Sequence, residues 1–171
     1  MGHPRGRAAG LAVAAVAGLL LAVAILIAGR DPAGPALTVR DADGVLLARV
    51  PLPSGRRFAL RYRNSLYGTL AEERFVVADR GRMRLVELAA DQLAVLEEYY
   101  AVSEPAVRAP PGSGRAWSAP PARAVVLDEL NIAATDLGQR TLLVADRPPL
   151  HLWRLVDADP TVVLAVEGAG V

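Results

Sequence analysis

Phe58-Ala59-Leu60-Arg61-Tyr62-Arg63 decides the fold. Large apolar side chains alternate with small or charged ones, which is the period-two pattern of a half-buried β-strand. Tyr62-Arg63-Asn64-Ser65-Leu66 ends this strand, Tyr67-Gly68 turns, and a second strand is predicted from Thr69 to Ala78. Asp79-Arg80-Gly81-Arg82 then turns the chain into Met83-Arg84-Leu85-Val86-Glu87-Leu88, so this region reads as successive antiparallel hairpins.

The same grammar extends in both directions. Leu37–Arg40 and Val45–Val50 flank Asp41-Ala42-Asp43-Gly44, whose acids and glycine tolerate a tight hairpin loop. Asp91 to Tyr100 fits a helical face (Leu93, Val95-Leu96, Tyr99-Tyr100) capped by Asp91, and a continued strand almost as well. Residues 101–124 are rich in alanine, proline, glycine and serine and are expected to form a long flexible loop. Strands return at Val125–Leu127, Leu130–Ala133, Thr141–Val144, Leu150–Leu155 and Thr161–Val166. The expected fold is all-β: eight or nine short strands in an antiparallel β-sandwich or partly closed barrel spanning 37–171.

Before this domain, Ala8 to Ala28 contains no charge, no strong polar group and no proline. As a helix it is about 31 Å long, enough to cross a bilayer core. We therefore expect a basic cytoplasmic segment at 1–7, a transmembrane signal-anchor helix at 8–28 and a linker at 29–36. Arg5 and Arg7 favour a cytoplasmic amino terminus, leaving the β domain outside the cytoplasm. The alternative is secretion after signal cleavage. The last Ala-x-Ala of the run, Ala22-Val23-Ala24, is followed by more apolar chain, which suits cleavage poorly.

Composition excludes several activities. The chain has no cysteine, so disulfides, thiolate metal sites and thiol nucleophiles are absent. Every basic residue is arginine, which rules out lysine Schiff-base chemistry. After the first 30 residues, 16 arginines face 18 acids, a net charge near −2 that does not suit a nucleic-acid binder. Arg56, Arg57, Arg61 and Arg63 form a local basic cluster, read as the solvated face of a strand, with contact to anionic lipid as the alternative. His151 is the one histidine of the exported part, too few ligands for zinc or copper, so no metal or cofactor is expected.

The remaining candidate cluster is Asn64, Ser65, Glu72 and Glu73. Glu72 and Glu73 point to opposite faces of their strand, so one of them at most enters a given pocket. Asn64, Ser65 and Glu73 are placed to meet across the hairpin, either as a turn lock or as a small-ligand or cation site.

Phe58-x-Leu60-x-Tyr62-x-Asn64-Ser65, then Glu72-Glu73-x-Phe75, then Leu85-Val86-Glu87, resembles the bacterial family catalogued as domain of unknown function 1850. The resemblance covers residues 50–95 and implies a small exported or anchored protein. Genes of that family often neighbour TAXI-class tripartite ATP-independent periplasmic (TRAP) transporters. It therefore implies a non-catalytic accessory to a solute transporter, with a membrane permease or solute receptor as partner. Asn64 stands where the family carries histidine, and Leu96-Glu97-Glu98-Tyr99-Tyr100 replaces a glycine-rich stretch.

Overall fold

A computed structural model describes residues 34–157 and 160–169. The expected basic segment, the span at 8–28 and most of the linker lie outside them. Among the described residues no helix is long and apolar enough to cross a membrane.

Two antiparallel sheets form an all-β sandwich. The small sheet has the order β2-β1-β12-β9: Leu46–Pro51, Ala36–Asp41, Thr161–Glu167 and Glu129–Ala133. The large sheet is centred on β3 (Arg57–Arg63), β4 (Leu70–Val77) and β5 (Met83–Ala90). Beside β3 lie β10 (Thr141–Val144) and β11 (Leu150–His151). Beyond β5 lie β7 (Trp117–Ala119) and β6 (Val107–Arg108), while β8 (Val125–Leu127) pairs the opposite end of β5. The chain passes from the large sheet to the small one at Asp128, between β8 and β9.

The deciding stretch behaves as its pattern requires. Phe58, Leu60 and Tyr62 are buried, whereas Arg57 and Arg63 are exposed. Phe58 stacks on Phe75 across the β3–β4 ladder with centroids 5.0 Å apart. The main core joins both sheets: Leu37, Val39, Val162 and Leu164 from the small one, Leu60, Met83 and Leu142 from the large one. A second cluster, with Tyr62, Ala71, Leu88, Val95 and Leu96, sits where Val95–Tyr99 closes over the large sheet as a π-helical turn. That turn answers the helix-or-strand ambiguity of 91–100: its inward residues are Val95 and Leu96.

At Asp41–Gly44 the hairpin is held by Asp41 Oδ1, which accepts from the amides of Asp43 and Val45, with Gly44 at φ +82°. A bulge in β5 shifts the register so that Arg74 pairs Glu87 while Phe75 pairs Leu85. Strict alternation from Met83 would turn Glu87 inward and Leu88 outward. The extra residue reverses the phase, so Leu88 is buried and Glu87 meets Arg74.

Two expectations need correction. Residues 101–124 are not a structureless loop: they contain β6 and β7, and β7 pairs β5 through Leu88–Ala90. Proline and glycine richness there sets the turns between short edge pieces instead of suppressing pairing. Leu150–Leu155 is not one strand either. After His151 the chain tightens into a 3-10 turn, Leu152–Arg154, which places Leu152 in the core with no exposure.

Candidate functional site

Register determines where the candidate residues go. Arg63 pairs Leu70, so Glu72 faces Arg61 and Glu73 faces Leu60. Directly paired residues share a face. Glu72 therefore lies in the outer row with Arg61, Thr141 and His151. Glu73 lies in the inner row between Leu60 and Leu88.

Glu72 is 4% exposed. Removing a carboxylate from water costs several kcal/mol unless opposite charge replaces the hydration. Three guanidiniums do so. Arg61 Nε donates to Oε1 at 3.0 Å, Arg74 donates to Oε2 through Nε and Nη2 at 3.1 and 2.9 Å, and Arg115 Nε lies 3.3 Å from Oε1. Glu87 pairs Arg74 and Asp91 pairs Arg115, each at 2.9 Å, so three acids balance three arginines. Arg74 also donates to the Ser113 carbonyl at 2.7 Å. The network clasps the segment before β7 onto the outer face of β4 and β5, and arginines occupy both oxygens of Glu72.

Glu73 has a different environment. Its Oε1 accepts from Tyr100 Oη at 2.7 Å, and Tyr100 Oη lies 2.6 Å from Tyr62 Oη. The Arg140 guanidinium lies 4.7 Å above the Tyr62 ring. Burial pushes the Tyr62 phenol up to about 12, with the Glu73 charge adding to the rise. Burial, followed by the Glu73 charge, raises Tyr100 as well. Both hydroxyls thus remain protonated and available to bridge toward the carboxylate.

This carries an alkaline prediction. A phenol whose pKa is raised on folding supports the fold fully below its unfolded value near 10, and that support is lost as pH rises through the folded value. Unfolding free energy should therefore fall between about pH 10 and 12, the Tyr62 window. In Tyr62→Phe/Tyr100→Phe the fall should be much shallower. An unchanged slope in the double variant, measured by urea titration across that window, rejects the bridge.

Asn64 and Ser65 lie elsewhere. Asn64 is buried, and its Oδ1 accepts from the amides of Leu66 and Tyr67 at 3.0 and 3.1 Å. This is the turn lock considered from the sequence. Ser65 is exposed in the same turn. The hairpin does not bring these two residues onto Glu73, because two ladder pairs, Arg61–Glu72 and Tyr62–Ala71, lie between the Leu60–Glu73 pair and Arg63–Leu70 at the turn.

Asn64 and Ser65 instead line a cavity of about 150 Å³ at one end of the large sheet, together with Tyr62, Tyr99, Leu137 and Arg140. Three separated segments build it: the β3–β4 turn, the π-helical turn and the β9–β10 connection. Sequence reading missed Tyr100, Arg140 and Arg115. The aromatic pair at 99–100 and the unpaired arginines carried no spacing that pointed to Glu73, Tyr62 or Glu72.

Comparison with protein-family models, curated proteins and solved structures found no match. Among the described residues there is no group of three or more histidine, aspartate or glutamate side chains placed to hold a metal ion.

Proposed function

We propose that this protein is a non-catalytic accessory domain, tethered at the cell membrane through residues 8–28 and displayed outside the cytoplasm. In this reading the loop-built end of the large sheet docks onto a membrane permease or solute receptor of a TRAP-type uptake system. The supporting observation is the exposure of Leu66, Leu137 and Tyr99, at 72%, 65% and 54%. Leu137 and Tyr99 border the same cavity, and Leu66 follows its Ser65 wall. Apolar side chains on loops held by a rigid scaffold suit partner recognition. Tethering raises the local concentration of such a partner, so a modest interface suffices. The resemblance over residues 50–95 supplies the transporter context.

The alternative is a small-ligand or cation site using Asn64, Ser65 and Glu73. Three observations favour docking over it. The cavity, at about 150 Å³, is below the roughly 300–1,000 Å³ of typical ligand pockets. Arg63 and Arg140 line it, which repels a cation. Asn64 Oδ1 is engaged by the turn, and Glu73 bonds Tyr100 and does not line the cavity.

A photo-crosslinker at Leu137, in the full chain expressed in its native membrane, should give an adduct with a multi-span permease or its receptor. Leu66→Asp should reduce that adduct at least about tenfold, since a charge at an apolar contact centre removes a dominant anchor. Absence of the adduct, its persistence in Leu66→Asp, or recovery of the chain with cytosol overturns the reading.

A further inference from the structure

The outer face of the large sheet holds a second constellation, in which only Arg61 and Arg63 belong to the basic cluster legible in the sequence. Arg61, Thr141 and His151 form one lateral row across β3, β10 and β11. Arg63 stands in the next row along β3, opposite Leu70. The 3-10 turn after β11 then delivers Trp153 and Arg154 to the same place. Together they line a groove of about 450 Å³ whose walls contain no carboxylate.

Charge compensation separates these arginines. Arg61 is neutralised by Glu72. Arg63 donates one N–H, from Nη1, to the neutral Gly68 carbonyl at 2.9 Å. Arg154 stacks over the Trp153 ring at 4.7 Å, which occupies its planar face and leaves its N–H edge open. Among the described residues neither Arg63 nor Arg154 lies within ion-pair distance of an acid. The domain as a whole is slightly acidic, so this is a local field of at least two uncompensated positive charges. His151 adds a ring nitrogen: Thr141 Oγ1 donates to the Gln139 carbonyl and so accepts from His151 Nδ1 at 3.1 Å, which leaves Nε2 as an acceptor for a phosphate hydroxyl.

We propose that this groove binds a phosphate group, gripped by Arg63 and Arg154, contacted by His151, and shielded on one side by Trp153. Guanidinium forks match phosphate oxygens in geometry as well as charge. A carboxylate carries a single charge and answers half of the field, whereas a phosphate monoester carries nearly two. The group arrives either free or on an anionic lipid headgroup. The site adjoins the docking end through Arg63 but does not depend on the docking reading.

The test uses the full chain in phosphatidylcholine nanodiscs, with Trp117→Phe so that Trp153 is the one indole left. Inorganic phosphate should shift Trp153 emission saturably. In a second arm, phosphatidic acid, whose headgroup is a phosphate monoester, should shift it in the nanodisc without added phosphate if the group is lipid-borne. A response in either arm supports the site and names its source. Arg63→Gln/Arg154→Gln should weaken the response at least about tenfold, the scale of a lost charge-assisted contact. Arg154→Gln alone should weaken it partially, and Arg123→Gln, an exposed arginine elsewhere, should leave it unchanged. Silence in both arms overturns the proposal. So does an undiminished response in the double variant, or an equal loss in Arg123→Gln, which is general charge screening. None of these results touches the Leu137 crosslink.

Discussion

Glu72→Ala is expected to destabilise the β domain by about 3 kcal/mol, the lower end of the range for removing one partner of a buried ion pair. The lower end applies because the stranded arginines retain other partners. Arg74 keeps Glu87, and Arg115 keeps Asp91. The loss remains large because the Arg115 and Arg74 side chains are only 10% and 20% exposed, so water replaces the missing carboxylate poorly. Arg61→Ala should cost far less, about 1 kcal/mol or under, since Arg61 is 35% exposed and shares a carboxylate that two other arginines hold. Urea unfolding of both variants checks the contrast. Equal losses would mean that Glu72 is an ordinary surface pair and that the clasp does not anchor the segment before β7.

Leu164→Ala should also cost roughly 2–5 kcal/mol, the range for truncating a fully buried leucine. Leu164 has no exposure and sits in β12 between Val39 and Leu130. Its side chain belongs to the core shared with Leu60 and Leu142 of the other sheet. Truncation opens a cavity at the seam of the sandwich, where hydrogen-bonded neighbours on both sides limit collapse. The small sheet pairs β1 with β12, segments more than a hundred residues apart, so this seam also ties the two ends of the domain together. A loss under about 1 kcal/mol would show that the small sheet does not pack on the large one as described.

The two variants probe parts of the molecule with very different legibility. Leu164 lies in Thr161–Val166, a run of β-branched and aliphatic residues whose strand character is local. The Glu72 network is not local. Arg115 comes from a proline- and glycine-rich segment that reads as a loop, yet it reaches Glu72 and Asp91. Tyr100 is similar. It belongs to a stretch that fits a strand almost as well as a helix, and its π-helical turn sets the hydroxyl against Glu73. The bulge in β5 is a further case, since Met83–Leu88 alternates acceptably until Glu87 must avoid the core.

Side-chain periodicity and turn chemistry therefore determined, without any structure, that the chain is built of short antiparallel strands, where most of them run, and that Glu72 and Glu73 face opposite ways. Tertiary structure alone decided what each face meets: arginines around Glu72, tyrosines above Glu73, and two uncompensated guanidiniums beside Trp153. The reason is physical. An alternation of two is a property of neighbouring residues, whereas a buried charge is made tolerable by partners that only ladder register and loop closure can bring from distant parts of the chain.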